Sequence, residues 1–383
     1  MDSGTATYSF YEFFAGGGMA RAGLGAGWDC LFANDFDPKK AEAYARNWGG
    51  DHLRVGDVGA LKAKDLPGQA DLAWASFPCQ DLSLAGNGAG LAGGRSGTFW
   101  PFWKLMTGLV GQGRGPKVVL LENVYGALTS KGGKDFAALA RAMSLGGYRF
   151  GALVIDAVHF VPQSRPRLFV VGVRKDIPVP RTLTSPEGET LWTPKALREA
   201  HAGLEAKIKA DWIWWRTSHP LPRTKAFSDV IEENPQGVIW HSPEQTQKIL
   251  SMMTSINLRK VKAAQEKGGR QVGGVYRRTR NGVQRAEVRF DGVSGCLRTP
   301  AGGSSRQSIL VVEGDKICSR LLSPREAARL MGLPDDYWLP ENYNQAYHLC
   351  GDGVVTPVVR YLAECLIEPL LDSVGRSLRH AAE

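Results

Sequence analysis

The feature that most constrains the fold is a pattern that recurs in the first third of the chain. Four short apolar runs, at 8–14, 29–33, 71–76 and 118–122, each stop at a glycine, an acid or a cysteine. Helix-compatible segments separate most of these runs. This pattern is typical of parallel strands whose two faces are both covered by crossover helices. The sequence therefore predicts an α/β fold with a Rossmann-like, doubly wound sheet.

The residues just past the predicted strands are the first candidates for function, because ligands bind beyond the carboxyl ends of the strands in such open sheets. These residues are Gly16 to Gly18, Asp35, Asp57, Cys79 and Glu122. A Gly-x-Gly loop after a strand lets the backbone approach a ligand, and an acid after the next strand can hold ribose hydroxyls. A nicotinamide enzyme would use similar parts, although Arg21 stands where GxGxxG has its third glycine. A purely structural tight turn is the other alternative.

Cys79 differs from the other cysteines in its surroundings. The six cysteines form no CxxC pair, which argues against a disulfide framework and a zinc site. Cys30 and Cys365 lie in apolar segments and are predicted to be core residues. Cys79 follows Pro78, and six of the residues from 86 to 97 are glycine. This pattern predicts a nucleophile covered by a loop.

Two further segments favour chemistry at the same place. An acid at the end of a buried strand is costly unless it faces a site, which makes Glu122 the candidate partner of Cys79. A structural ion pair is the alternative. Gln163, Arg165 and Arg167 occur at a spacing of two, which predicts that they share one face of a strand. Two guanidiniums and an amide suit a phosphate or a base carbonyl.

The basic charge is concentrated in one segment. The net charge is +9, and residues 259–289 contain ten Lys or Arg against two acids. An Asn-Gly pair inside this segment, flanked by strand-like runs, predicts a β-hairpin. A solvated face is the alternative to a polyanion-binding one. The candidate polyanion-binding residues on this hairpin are Arg277, Arg278 and Arg280.

Three predictions concern the rest of the chain. Ser323, Pro324 and Glu326 predict an N-cap, a first helical position and a capping box. The run at 354–371 predicts a closing helix. The tryptophans near the middle of the chain are predicted to be packing residues rather than base-stacking ones: Trp212, Trp214 and Trp215.

The motifs together resemble those of the bacterial-type cytosine-5 DNA methyltransferases. In order, the matching blocks are FFAGGGMARAGL, NDFDP, GDV, FPCQDLS, ENV, QSRPRLFVVGV, RLLSPREAARLMGLPDDY and GDGVVTPVV. The match spans nearly the whole chain except its middle. The resemblance implies a catalytic and cofactor-binding domain at 1–177, a smaller target-recognition domain at 178–318, and a C-terminal segment at 319–383 that returns to the catalytic domain.

The resemblance also implies the reaction and its residues. Cys79 would add to carbon 6 of a flipped-out cytosine, Glu122 would hydrogen-bond the ring nitrogen and exocyclic amine, and Arg165 would hold the base carbonyl. The supporting residues would be Pro78, Gln80, Asn123, Gln163 and Arg167. The S-adenosylmethionine site would comprise Phe14, Gly16, Gly18, Asp35, Phe36, Asp57 and Asp352, the last of which stands where the family usually has asparagine.

The expected partner is double-stranded DNA, in a restriction-modification or an orphan epigenetic role. No apolar stretch approaches the roughly 20 residues of a membrane span, and no signal-peptide pattern is present. A cytoplasmic, nucleoid-associated monomer is expected. A tRNA cytosine-5 methyltransferase of the same fold is one alternative, although the Cys-Phe-Thr signature of that branch is not found. A non-catalytic nucleic-acid-binding relative is disfavoured because Cys79, Glu122 and Arg165 are all present.

Overall fold

The computed structural model describes residues 7–78, 98–186, 188–280, 282–299 and 306–373. The chain divides into two compact units. The first comprises Met1–Ile155, Pro166–Pro220 and Thr356–Glu383, and the second comprises Asp156–Arg165 and Leu221–Val355. These limits differ from the predicted boundaries at 177/178 and 318/319. The first unit continues well past residue 177, and the chain returns to it only at Thr356.

The first unit is built on a seven-stranded sheet within the described residues. Its strands are β1 (Tyr8–Phe13), β2 (Trp28–Asp35), β3 (Leu53–Val55), β4 (Leu72–Ala75), β5 (Val118–Val124), β6 (Tyr148–Asp156) and β7 (Pro166–Arg174). Their order is β3-β2-β1-β4-β5-β7-β6. Neighbours from β3 to β5 run parallel, whereas β7 is antiparallel to β5. The predicted α/β sheet is confirmed, and the four apolar runs correspond to β1, β2, β4 and β5.

In the first third of the chain, helices alternate with strands as the sequence predicted. The α-helices of the described residues in both units are α1 (Met19–Leu24), α2 (Pro38–Trp48), α3 (Phe99–Gly111), α4 (Lys134–Leu145), α5 (Lys195–Ala202), α6 (Ala206–Lys209), α7 (Pro243–Ser251), α8 (Ser255–Lys267), α9 (Pro324–Leu330), α10 (Tyr343–Asp352) and α11 (Thr356–Leu362). Side chains of α3 and α4 pack with the inner strands in one continuous apolar core. Burial of both sheet faces explains why β4 and β5 are almost wholly apolar.

The second unit contains an antiparallel sheet of the strands β8 (Arg270–Arg280), β9 (Val283–Arg289), β10 (Ser308–Glu313) and β11 (Lys316–Leu321). Their order is β11-β10-β8-β9. Arg280 pairs with Val283, so β8 and β9 form an antiparallel hairpin and the predicted hairpin is confirmed. Ser323 caps α9 and forms the predicted capping box with Glu326. One face of the sheet packs on α7 and α8.

The packing predictions have mixed outcomes. Trp215 is fully buried, and Trp212 and Trp214 pack against the core of the first unit, which confirms their packing role. Cys30 is buried as predicted. Cys365 is only half-buried, so its prediction as a core residue is wrong. After α11 the chain continues through a π-helical turn, Ala363–Ile367, which contains this cysteine.

Within the part of the chain that the structure describes, none of the helices combines the length and the apolar character that crossing a membrane requires.

Candidate active site

The glycine loop after β1 has an unusual backbone. Phe14, Gly16 and Gly18 all have positive φ, at 57°, 57° and 78°. A positive φ is strained for a phenylalanine and easy for glycine, so the loop turns sharply at the end of the strand. Gly18 is the N-cap of α1. A Cβ on Gly16 would meet no atom within 4 Å, which leaves the backbone open to close approach.

Asp35 holds this loop from the end of the neighbouring strand. Its Oδ2 accepts a hydrogen bond from the Gly16 N–H at 2.7 Å, and its Oδ1 accepts from the Asp37 N–H at 2.8 Å. Burial raises the pKa of Asp35, while these two N–H donors act in the opposite direction. The ring of Phe36 is 75% exposed beside it. Asp57 is exposed just past β3 and accepts from the Gly59 N–H at 2.8 Å. The structure thus brings the predicted residues after β1, β2 and β3 to the same edge of the sheet.

Several residues that sequence reasoning missed support the loop from behind. The indole N–H of Trp48 donates to the Gly17 carbonyl at 2.9 Å, and the Arg21 guanidinium stacks over the same indole at 5.3 Å. Arg21 also donates to the Tyr44 hydroxyl. Glu12 is fully buried beneath the start of α1, where burial raises its pKa to about 8. The one sequence signal for this support was Arg21, which stands where a GxGxxG motif has its third glycine.

A second group of residues lies where β4, β5 and β7 meet. Glu122 is 7% exposed, and its Oε1 lies 3.2 Å from the Arg167 Nε. The antiparallel register explains this contact, because Val124 lies opposite Arg167 and Glu122 lies opposite Phe169. Glu122 therefore forms the ion pair that the sequence analysis gave as the alternative, and its partner is Arg167.

Asn123 fixes the backbone that precedes the predicted nucleophile. Its Nδ2 donates to the Phe77 carbonyl at 3.3 Å, and its Oδ1 accepts from the Val124 N–H at 2.8 Å. Phe77 is buried and is followed by Pro78. Cys79 and Gln80 come next in the sequence and lie outside the described residues.

Gln163 and Arg165 occupy the second unit, so the prediction of one strand face for Gln163, Arg165 and Arg167 is wrong. β7 begins only at Pro166, after Gln163 and Arg165. Gln163 is fully buried, where its amide donates to the Leu330 carbonyl and accepts from the Leu297 N–H.

Arg165 donates to main-chain carbonyls and to the Cys296 sulfur. It is 2% exposed, and its guanidinium donates to the carbonyls of Leu297, Gly351 and Gly353 at 2.8–3.0 Å. Arg165 therefore links three separate parts of the second unit. Of the two arginines, Arg167 is the one that contacts Glu122.

Asp352 ends α10 in the second unit. Its Oδ1 accepts a hydrogen bond from the Thr299 hydroxyl. An asparagine could accept the same hydrogen bond, so this contact does not by itself require the aspartate. The predicted cofactor role of Asp352 stays a prediction.

The three predicted DNA-binding arginines divide between the faces of the hairpin. Arg277 and Arg278 are neighbours in β8, and successive side chains of a strand point to opposite faces. Arg280 ends β8, and its side chain lies outside the described part of the structure.

The sheet has a glycine loop after β1, an acid at the end of β2, an acid after β3 and an acid near the end of β5, which is the arrangement of the Rossmann-like methyltransferases. Within that class, the sequence model of the C-5 cytosine-specific DNA methylases matches residues 8–368, and the chain belongs to this family.

Two relatives and one solved structure illustrate the membership. The chain is 26% identical to the Type II methyltransferase M.HpaII of Haemophilus parainfluenzae, over 95% of this chain and 90% of that relative. It is 26% identical to M.HhaI of Haemophilus parahaemolyticus, over 92% of each. The crystal structure of the S. pombe Dnmt2 methyltransferase matches with a TM-score of 0.60 at 18% identity, over 95% of this chain and 99% of that one. This last likeness shows the shared fold.

Proposed function

We propose that this chain is a sequence-specific DNA (cytosine-5-)-methyltransferase that uses S-adenosylmethionine and works through a covalent adduct of Cys79. The observation that carries the proposal is the buried Glu122–Arg167 pair at the ends of β5 and β7. Beside it, Asn123 holds the backbone at Phe77, two residues before Cys79. The matching family model, that of the C-5 cytosine-specific DNA methylases, favours DNA as the substrate.

The residues after β1, β2 and β3 fit the proposed cofactor. The open space at Gly16 admits a ligand against the backbone, and Asp35 presents a carboxylate beside it for ribose hydroxyls. The exposed ring of Phe36 suits contact with adenine, and the exposed carboxylate of Asp57 suits its amino group. Phe14 and Gly18 would line the same pocket. S-adenosylmethionine supplies a methyl group on a sulfonium centre.

In the proposed mechanism, the Cys79 thiolate forms a bond to carbon 6 of a cytosine that has left the base stack. The electron pair displaced from the carbon 5–carbon 6 double bond makes carbon 5 nucleophilic. Glu122 hydrogen-bonds the ring nitrogen and exocyclic amine and stabilises the charge that develops. After methyl transfer, a base removes the carbon 5 proton, the sulfur–carbon 6 bond breaks, and Cys79 regains its thiolate.

The positions of the two arginines favour a division of roles that differs from the one the resemblance implied. Arg167 contacts Glu122 and is proposed to hold the base carbonyl and orient the carboxyl group. Arg165 donates to three main-chain carbonyls and is proposed to support the second unit. Gln163, whose amide is also bound to the backbone, is assigned the same supporting role.

Trapping on modified DNA tests the nucleophile. DNA that contains 5-fluorocytosine at the target should form a covalent complex in the presence of S-adenosylmethionine, because fluorine cannot leave as a proton does. Cys79→Ser should abolish the complex on a denaturing gel and leave DNA binding largely intact. Cys365→Ser, at a half-buried cysteine of the first unit, is the matched control and should still form it. An undiminished complex with Cys79→Ser would refute the assignment.

The substrate is tested by the transfer of a radiolabelled methyl group. Transfer to DNA supports the proposal, transfer to tRNA supports the alternative enzyme of the same fold, and transfer to neither supports a non-catalytic relative. Bisulfite sequencing of a host genome that expresses the chain would then show the recognition sequence.

A further inference from the structure

The basic hairpin β8–β9 has two faces with different surroundings. In the antiparallel register, Val275 lies opposite Val288 and Arg277 lies opposite Ala286. Val275, Ala286 and Val288 are buried in one cluster with side chains of α7 and α8. Because side chains alternate along a strand, Arg277 lies on this packed face. Its charge contributes to lowering the pKa of the half-buried His241, after the larger effect of burial.

The opposite face places two arginines directly across from each other. Arg278 of β8 pairs with Arg285 of β9, and the Arg278 guanidinium lies 5.6 Å from the centre of the Tyr276 ring. Within the described ranges, neither guanidinium has a carboxylate at ion-pair distance, although Glu287 lies on the same face. Like charges directly opposite each other destabilise an antiparallel pair. The arrangement is therefore unfavourable in the free protein, and an anion between the two side chains would relieve the repulsion.

This arginine face is continuous, within the second unit, with the segment that holds Gln163 and Arg165. Tyr276 packs against the backbone of Gly295, where a Cβ would lie only 2.7 Å from its ring. Two residues further on, the Leu297 N–H donates to Gln163 and the Leu297 carbonyl accepts from Arg165. The arginine pair therefore neighbours, within the second unit, the segment that binds Gln163 and Arg165.

We infer that Arg278 and Arg285 together bind one phosphate of the DNA backbone and that Arg277 takes no part. The inference rests on the proposed function, because it takes DNA as the partner. Residues directly opposite in an antiparallel pair have Cβ atoms about 4.5–5.5 Å apart, so two guanidiniums can reach the same phosphate. Sharing one phosphate also removes the repulsion between them.

The salt dependence of DNA binding tests the inference. Affinity for a mixed-sequence duplex would be measured by fluorescence anisotropy against NaCl concentration. Each lost phosphate contact makes the slope of log affinity against log salt less steep by about 0.9. The double variant Arg278→Ala/Arg285→Ala should therefore lose a single step, and neither single variant should lose more than that step, because the remaining arginine still faces the phosphate. From about 50 to about 150 mM NaCl, the double variant should lose roughly threefold less affinity than the wild type does.

Arg277→Ala is the matched control and should keep the wild-type slope. A double variant that loses two steps would overturn the shared phosphate, and an unchanged slope in the double variant would overturn the surface. Thermal unfolding separates binding from structure, since relief of repulsion predicts that Arg285→Ala does not lower the melting temperature. A lowered melting temperature would assign Arg285 a structural role and overturn the inference.

Methyl transfer by the wild type to genomic DNA is measured in parallel. Absence of transfer together with the expected slopes would refute the proposed function and leave the phosphate site standing. Transfer together with unchanged slopes would refute the phosphate site alone.

Discussion

Replacement of Gly18 by alanine should destabilise the first unit far more than the same change at Gly16. A Cβ on Gly18 would lie 2.4 Å from the Trp48 Nε1 and 3.0 Å from a ring carbon of Tyr44. The indole would have to move and lose its hydrogen bond to Gly17, and such overpacking typically costs about 1–3 kcal/mol. The positive φ adds about 1–2 kcal/mol for any residue with a Cβ. The free energy of unfolding should therefore fall by roughly 3 kcal/mol.

Gly16→Ala has the same kind of φ but open space around its Cβ, so only the backbone cost of about 1–2 kcal/mol applies. Urea unfolding followed by circular dichroism measures both variants, and calorimetry measures their affinity for S-adenosylmethionine. In a Trp48→Ala background, Gly18→Ala should cost less than in the wild type, because the clash with the indole is gone. Equal destabilisation by the two glycine variants, or no rescue by Trp48→Ala, would refute the packing argument.

Three further outcomes are expected. Arg320→Met leaves Glu326 of a fully buried ion pair without its partner and should lower the free energy of urea unfolding by about 3–5 kcal/mol. Lys195→Ala removes an exposed ion pair and should lower it by less than about 1 kcal/mol. Asp352→Asn should alter the S-adenosylmethionine dissociation constant or the pH profile of methyl transfer while DNA affinity without cofactor stays constant; identical constants and profiles would remove the functional claim. Arg167→Ala should lower the rate of methyl transfer by roughly 100-fold. Arg165→Ala should instead lower the unfolding midpoint, and the reverse result would restore the roles that the resemblance implied.

Local signals predicted the elements that local chemistry determines. The composition of the apolar runs was enough to predict β1, β2, β4 and β5. A strand that is buried on both faces is apolar along most of its length, so it is visible in the sequence without an alternating pattern. The capping box at Ser323 and the Asn-Gly hairpin are likewise specified within a few residues. Each of these predictions is confirmed by the structure.

Long-range contacts explain what the sequence could not predict. The carbonyl partners of Arg165 lie 132, 186 and 188 residues further along the chain, so no local spacing shows that this side chain belongs to the second unit. The prediction of one strand face assumed that the strand extended back to Gln163. The extension of the first unit to Pro220 depends on tertiary packing of Trp215 under the sheet, where its indole N–H donates to the Val171 carbonyl. The composition of that segment does not reveal this packing.

The two halves of the proposed site in the first unit use the same structural device. At β1 and β2, the Asp35 carboxylate at the end of one strand binds the Gly16 N–H after its neighbour. At β4 and β5, the Asn123 amide at the end of one strand binds the Phe77 carbonyl after its neighbour. In each case a side chain from the adjacent parallel strand fixes a loop that has left the sheet ladder. Such fixing before a ligand arrives lowers the ordering cost of binding, so the loops that follow β1 and β4 start from backbone positions that the sheet has already set.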